Sequence, residues 1–244
     1  MPLSCDPDDA PPHPQNISLV APSTISEPPI TYTPPTSPYL PVLYFDDDLL
    51  IISKPSGLLS VPGRGPALAD CVATRAENLF AGALIVHRLD MDTSGIMALA
   101  RTRAAQRHLS RQFENRQIGK AYIARVLGKI EADAGEINAP LICDWPNRPR
   151  QVIDHQNGKS AETSWQVIHR EANATRVRLM PTTGRSHQLR VHMASLGHCI
   201  LGDNLYADAE AFAAADRLQL HAQSLTLTHP TTGDELSFED VCPF

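Results

Sequence analysis

Proline placement constrains this chain more than any other feature. Of its 21 prolines, 12 fall within residues 1–41. Each fixes φ and removes a backbone donor, so neither a helix nor a central strand can propagate there. The same stretch has no Lys or Arg and almost no periodic apolar pattern. Residues 1–41 therefore read as a disordered, Pro-rich extension, with a polyproline II ligand for a partner domain as the functional alternative. Ordered structure is expected from Val42, and residues 42–244 suffice for a single domain with a sizeable core.

Charge is spread as unevenly as proline. Residues 1–53 carry seven acidic and no basic side chains, residues 54–200 carry 20 basic against 12 acidic, and residues 201–244 carry one against eight. The blocks are −7, +8 and −7, and the whole is −6. An acidic total thus does not exclude a polyanionic partner, because a basic middle can face nucleic acid while acidic ends face away. Arg supplies 17 of the 21 basic residues, the side chain suited to bidentate phosphate contacts and stacking, although a solvated charge is the plainer reading. No apolar run approaches the roughly 20 residues that a membrane-spanning helix needs. The opening Met-Pro-Leu-Ser-Cys-Asp lacks the basic flank and apolar core of a secretory signal, so a cytoplasmic address is expected. The five cysteines are scattered and never form C-x-x-C, so reduced thiols are expected rather than disulfides or a structural zinc site.

Hydrophobic periodicity sketches the elements. Val42–Phe45 and Leu49–Ser53 read as a hairpin around Asp46-Asp47-Asp48, and residues 68–80 as a helix with Asp70 near its start. Strands are expected at 83–86, 95–100, 121–127, 164–168, 175–180 and 218–228, with a helix at 187–196. Thr102 reads as the N-cap of a helix to about Asn115, with Ala105, Leu109 and Phe113 recurring every four residues. Its other face carries Arg103, Arg107 and Arg111, either a solvated face or a phosphate rail. Many strands and few helices, without strict alternation, predict an α+β fold: a mixed, largely antiparallel sheet with flanking helices.

The segment Ile85 to Ala100 is the most informative chemically. A buried strand ends in a polar loop holding His87, Arg88, Asp90 and Asp92, and a Ser-Gly turn returns the chain to a second buried strand. Charged groups held between two core strands form a preorganised rim, although Asp90 serving only as a turn cap is the simpler reading. A second segment, Thr183 to His192, opens a helix with polar side chains and would place His187 and Arg190 three apart on one face. His187 and His192 are five apart, with no Glu beside the first, so no metal site is expected.

Five stretches resemble the RluA-type pseudouridine synthases: His87-Arg-Leu-Asp-x-x-Thr-Ser-Gly95, Lys120-x-Tyr122-x-Ala-x-Val-x-Gly128, Gly158-Lys159-x-Ala161, Thr183-Gly-Arg-x-His-Gln-Leu-Arg-Val-His192 and Gly202-Asp203-x-x-Tyr206. They occur in the family's order and span about residues 42 to 230. Lys54-Pro-Ser-Gly-Leu-Leu-Ser-Val-Pro-Gly-Arg64 and Pro140-Leu-Ile-Cys-Asp-Trp-Pro-Asn-Arg-Pro149 resemble the subgroup acting on both a 23S rRNA loop and a tRNA anticodon stem-loop. The resemblance implies the pseudouridine synthase catalytic fold and an isomerase that turns uridine into pseudouridine without cofactor or metal. It also implies structured RNA as the partner; no protein partner is indicated, and a monomer is expected. Asp90 matches the catalytic carboxylate, Arg190 the residue that pairs with it, and Tyr122 the active-site aromatic that packs on the base and assists removal of the C5 proton. Arg88 matches the side chain that fills the space of a flipped base. His87, Lys120, Arg185 and His187 are the further substrate-binding candidates, with His87 also suited to fixing the loop.

Three departures stand out. Cys199 replaces a Pro common in the family, Asp92 adds a carboxylate two residues from Asp90, and residues 1–41 lack the basic character of an RNA-binding module. Two rival readings remain at this level. One is a glycoside hydrolase pairing Asp90 with Asp92 or Glu114; the other is a non-catalytic RNA-binding protein on the same fold.

Overall fold

The computed structural model describes residues 32–244. The expected hairpin is β1 (Val42–Phe45) and β2 (Leu49–Lys54), paired antiparallel. Its turn is held by the Asp46 carboxylate, which accepts the amides of Asp48 at 2.8 Å and Leu49 at 2.7 Å. The helix expected over 68–80 is broken. A 3-10 turn at Pro66–Leu68 precedes α1 (Val72–Leu79), which Cys71 and Thr74 cap reciprocally: Thr74 Oγ1 accepts the Cys71 amide at 3.0 Å and Cys71 Sγ accepts the Thr74 amide at 3.5 Å. Asp70 therefore lies just outside α1 and forks onto the buried Arg75, with both bonds at 2.7 Å.

There follow β3 (Leu84–Ile85), β4 (Ser94–Ala100), α2 (Arg103–Glu114), β5 (Gly119–Leu127), β6 (Ala134–Asn138), β7 (Leu141–Cys143) and β8 (Gln151–Ile153). The rest is β9 (Glu162–Arg170), β10 (Ala174–Pro181), α3 (Gln188–Ser195), α4 (Ala209–Ala213), β11 (Leu220–Thr228) and β12 (Glu235–Glu239). Ten strands form one sheet in the order β1-β2-β4-β11-β5-β10-β9-β6, with β3 beside β4 and β12 beside β11. Strands β7 and β8 form a separate hairpin. The architecture is the mixed, mostly antiparallel α+β fold that the element pattern predicts.

One seam in the sheet is parallel, that between β4 and β11, where Ala222 lies opposite Gly95. Gly95 has φ 112°, and a Cβ there would lie 2.2 Å from the Ala222 carbonyl oxygen. Only glycine lets the two strands meet. On one side of the seam β2 is buried on both faces: Leu50 and Ile52 pack with Val72 and Ala76 of α1, while Leu49 and Ile51 pack with Ala105 and Leu109 of α2. Beyond the seam, Val126, Val177 and Leu179 pack with Leu189 and Met193 of α3. Tyr122 touches the cores on both sides, so the seam and this ring coincide.

The expected start of order at Val42 is corrected. Tyr32 donates its hydroxyl proton to the Asp70 carbonyl at 2.8 Å and accepts the Leu59 amide at 3.0 Å. Leu40 is buried in the α1-side core, and Arg75 donates to the Tyr39 carbonyl at 2.6 Å with its guanidinium 4.7 Å over the Tyr39 ring. Two tyrosines and a leucine among the prolines supply the anchoring that composition conceals. Residues 1–31 of the expected extension lie outside the described residues. Among the described residues no helix is long and apolar enough to cross a membrane.

Candidate active site

The loop between β3 and β4 is tied down nearly everywhere except at the Asp90 carboxylate. Leu89 exchanges two bonds with Ser60: its amide donates to Ser60 Oγ at 3.1 Å, and that hydroxyl donates to the Leu89 carbonyl at 2.6 Å. Ser56 Oγ donates to the Asp92 carbonyl at 2.7 Å. Beneath the loop, the fully buried Lys54 ammonium donates to the carbonyls of Met91, Leu58 and Pro55 at 2.7, 2.7 and 2.9 Å. Burial pulls Lys54 down to about 7, against the charges of Asp92 and Asp90.

His87 closes the loop from behind. Its Nε2 accepts the Ala98 amide at 2.9 Å, and its ring stacks on Phe113 of α2 with centroids 4.3 Å apart. Burial, helped by the Lys120 charge, pushes its pKa down to about 3, so it is neutral and fixes β4 against α2. Of the two readings of His87, substrate contact and brace for the loop, these contacts fit the brace, and the residue is not among those lining the cleft. The other seven candidates, Arg88, Asp90, Lys120, Tyr122, Arg185, His187 and Arg190, all line one cleft.

Arg190 sits in the first turn of α3, 3% exposed, and serves two carboxylates. Its Nε and Nη2 fork onto Asp203 at 2.7 and 2.6 Å, while Nη1 stands 3.8 Å from Asp90 Oδ2, beyond hydrogen-bond reach. Asp203 is buried and also accepts the amides of Leu205 and Tyr206 at 2.8 and 3.0 Å. Burial opposes both charges, but the fork outweighs it: Arg190 is held above its ordinary value and Asp203 below. Asp90 therefore faces a fixed cation whose charge is already half engaged. Asp92, the extra carboxylate, turns to the Asn204 amide, which donates to it at 3.2 Å.

Tyr122 rises from β5 into the cleft, and burial together with Asp90 pushes its phenol up. It retains its proton near neutral pH, so at rest it is an aromatic wall and a donor, not a base. His187 holds a left-handed backbone, φ 54°, at the entrance to α3. The Tyr206 hydroxyl accepts the Gln151 amide at 2.8 Å and shares a hydrogen bond of 2.7 Å with His187 Nδ1. Burial lowers the His187 pKa against the pull of Asp90. Lys120, lowered by burial, points to the Thr183 carbonyl at 3.4 Å; the exposed Arg185 and Arg88 form the lip. Buried Gln188 braces the turn, its carbonyl accepting from Thr183 Oγ1 at 2.7 Å and the Arg185 amide at 3.0 Å. His192 points into the core, bonded to Thr163 and the Ala139 carbonyl.

Lys54, Asp203, Gln188 and Ser60 complete the site without having been singled out for a role in it. A lysine closing the apolar run Leu49-Leu-Ile-Ile-Ser is the one visible signal among them. The cleft brings together a half-exposed carboxylate, a protonated aromatic wall and a basic lip, a set suited to a planar, uncharged ring attached to a polyanion.

A family model described as RNA pseudouridylate synthase matches residues 48–195. The chain is 57% identical over 204 residues to a dual-specificity RNA pseudouridine synthase RluA from Yersinia pestis, spanning 83% of this chain and 99% of that protein. It is 51% identical over 214 residues to the protein of the same name from Escherichia coli K12, spanning 87% and 98%. Among solved structures, human RNA pseudouridylate synthase domain containing 1 superposes with a TM-score of 0.73 at 27% identity, covering 87% of each chain.

Proposed function

Because this chain belongs to the RNA pseudouridylate synthase family, we propose that Asp90 is the carboxylate with which it converts uridine to pseudouridine in RNA. The reaction is an isomerisation: the C1′–N1 bond breaks, C1′ joins C5, the C5 proton leaves and N1 regains one. Nothing is consumed, so the work falls to positioned side chains. The observation that carries the assignment is the Asp90 carboxylate at 3.8 Å from Arg190 in the cleft that Tyr122 walls. A carboxylate with a cation beside it, yet not hydrogen-bonded to it, keeps its oxygens free to act as a nucleophile.

Tyr122 packs against the uracil face while the ring is turned. Arg88, exposed at the lip, occupies the gap that the extruded base leaves, its planar guanidinium stacking where the base had been. Extrusion costs a few kcal/mol in a paired stem and least in a loop, so loop uridines are the targets. The relatives are named for dual specificity, and the substrates proposed here are likewise two, a 23S rRNA hairpin and a tRNA anticodon stem-loop.

The test uses stem-loop transcripts tritiated at uracil C5. Wild-type protein should release tritium without added cofactor, and Asp90→Asn should release none while binding RNA with similar Kd. Full activity in the Asn variant would overturn the role of Asp90.

A further inference from the structure

The hairpin β7–β8 takes no part in the roles assigned above, yet its tip is built to present one ring. Trp145 is 66% exposed, more than any other aromatic side chain among the described residues. The tip cannot be loose, because Asp144, Asn147 and Arg150 close it through three backbone bonds of 3.0 Å each, and Asn147 Nδ2 adds a bond to the Asp144 carboxylate at 2.9 Å. Arg148 folds back over the indole, its guanidinium 4.9 Å from the ring centroid and its Nε donating to the Trp145 carbonyl at 3.2 Å. A cation thereby covers one face of the indole, and with the residue still 66% exposed the ring retains surface on which a ligand can stack.

The base of the tip, where Gln151 pairs with Cys143, is joined to the active site. The Gln151 amide donates to the Tyr206 hydroxyl that in turn bonds His187, and Arg150 lies 5.4 Å over the Tyr206 ring while Arg190 lies 5.3 Å from it. The tip is therefore a rigid projection from the cleft wall. Exposing a rigid indole to water gains nothing for folding, and a guanidinium stacked on one face of it, with Arg150 in the same tip, is a combination that holds an unpaired nucleobase on a polyanionic strand.

We infer that Trp145 is a second nucleobase platform: an unpaired base flanking the target uridine stacks on its exposed ring surface, with Arg148 backing the ring. The inference rests on the RNA-modifying reading and adds a contact outside the catalytic cleft. Base-on-aromatic stacking of this kind changes affinity by roughly 10-fold or more.

Trp145 has a direct optical readout, since the only other tryptophan, Trp165, is 6% exposed in the core. Adding stem-loop RNA should quench the solvent-exposed part of the emission in the wild type. In Trp145→Phe the remaining, buried emission should not respond to RNA. Trp145→Ala should raise the Kd and KM for stem-loop RNA about 10-fold, with the loss on KM rather than kcat and an unchanged melting temperature. An abasic scan of the RNA loop should find one position whose removal weakens the wild type but adds nothing in Trp145→Ala. Equal Kd in wild type and Trp145→Ala, or emission indifferent to bound RNA, would overturn the platform. The catalytic reading fails on a different result, the absence of tritium release by the wild type.

Discussion

Arg190 stands between two carboxylates, and the difference in distance decides what each does. Asp203, in two-point contact at 2.6 and 2.7 Å, takes the guanidinium's fork; Asp90, at 3.8 Å, receives only its field. Asp203 therefore acts as a spacer that prevents Arg190 from closing on the proposed nucleophile. Replacing Asp203 by Asn removes one charge of a buried pair and lets the guanidinium swing to Asp90. We expect a stability loss of about 3 kcal/mol, read from urea midpoints, and a fall in tritium release of about 100-fold from misplacement of the reacting group. Normal turnover in Asp203→Asn would show that the fork is merely structural. The cleft's own residues were readable through the resemblance of their stretches to a known family; by pattern alone the polar loop between two apolar strands read more simply as a turn capped by Asp90. The supports were not readable. Asp203 meets Arg190 and Lys54 reaches Met91 only because the chain folds back across 13 and 37 residues, and no local pattern encodes such a meeting. His87 carried two readings, a substrate contact and a brace for the loop, and its bond to the Ala98 amide and stacking on Phe113 fit the brace.

Among the elements, those with a strong apolar pattern of their own were the legible ones. Strand β4 is buried at all seven positions, and α2 buries Ala105 and Leu109 beneath an N-cap in which Thr102 Oγ1 accepts the Ala105 amide at 3.0 Å. Arg103, Arg107 and Arg111 are all exposed on its other face. Strands β6 and β12 escaped detection because they lie at margins of the sheet with only part of each facing a core, and their residues include Gly and Glu, which favour strands poorly. Their pairing is supplied by β9 and β11, not by their own composition. The parallel seam was equally invisible, since direction is a property of two strands. It depends on Gly95, whose missing side chain admits the Ala222 backbone. In Gly95→Ala a methyl would have to displace that carbonyl from 2.2 Å at a backbone angle of φ 112°. We expect a loss of at least about 3 kcal/mol, and a near-ultraviolet dichroism change as Tyr122 loses its setting. A variant as stable as wild type would mean that the two strands can part without cost to the site.

At the scale of the molecule, the boundary of the folded unit and the layout of charge bear on each other. Order reaches back at least to Tyr32, and the ten residues before Val42 supply Leu40 to the core and the Tyr39 carbonyl to Arg75, a guanidinium only 1% exposed. Residues 1–31, by contrast, contribute four acidic side chains and no basic ones, so a chain beginning at Tyr32 has a formal charge of −2 in place of −6. Two truncations separate these contributions. The 32–244 chain should melt with the full-length protein and bind stem-loop RNA at least as tightly, because it keeps every core contact found among the described residues and sheds charge that repels phosphate. The 42–244 chain should lose on the order of 3 kcal/mol, the burial of one leucine plus a hydrogen bond to a buried cation. For a domain of this size that is a fall in melting temperature of roughly 10 °C. Its binding at low temperature should match that of 32–244, since Arg88, Lys120 and Arg185 are untouched. Equal melting of the two truncated chains would return the boundary to Val42, where the proline pattern alone had set it.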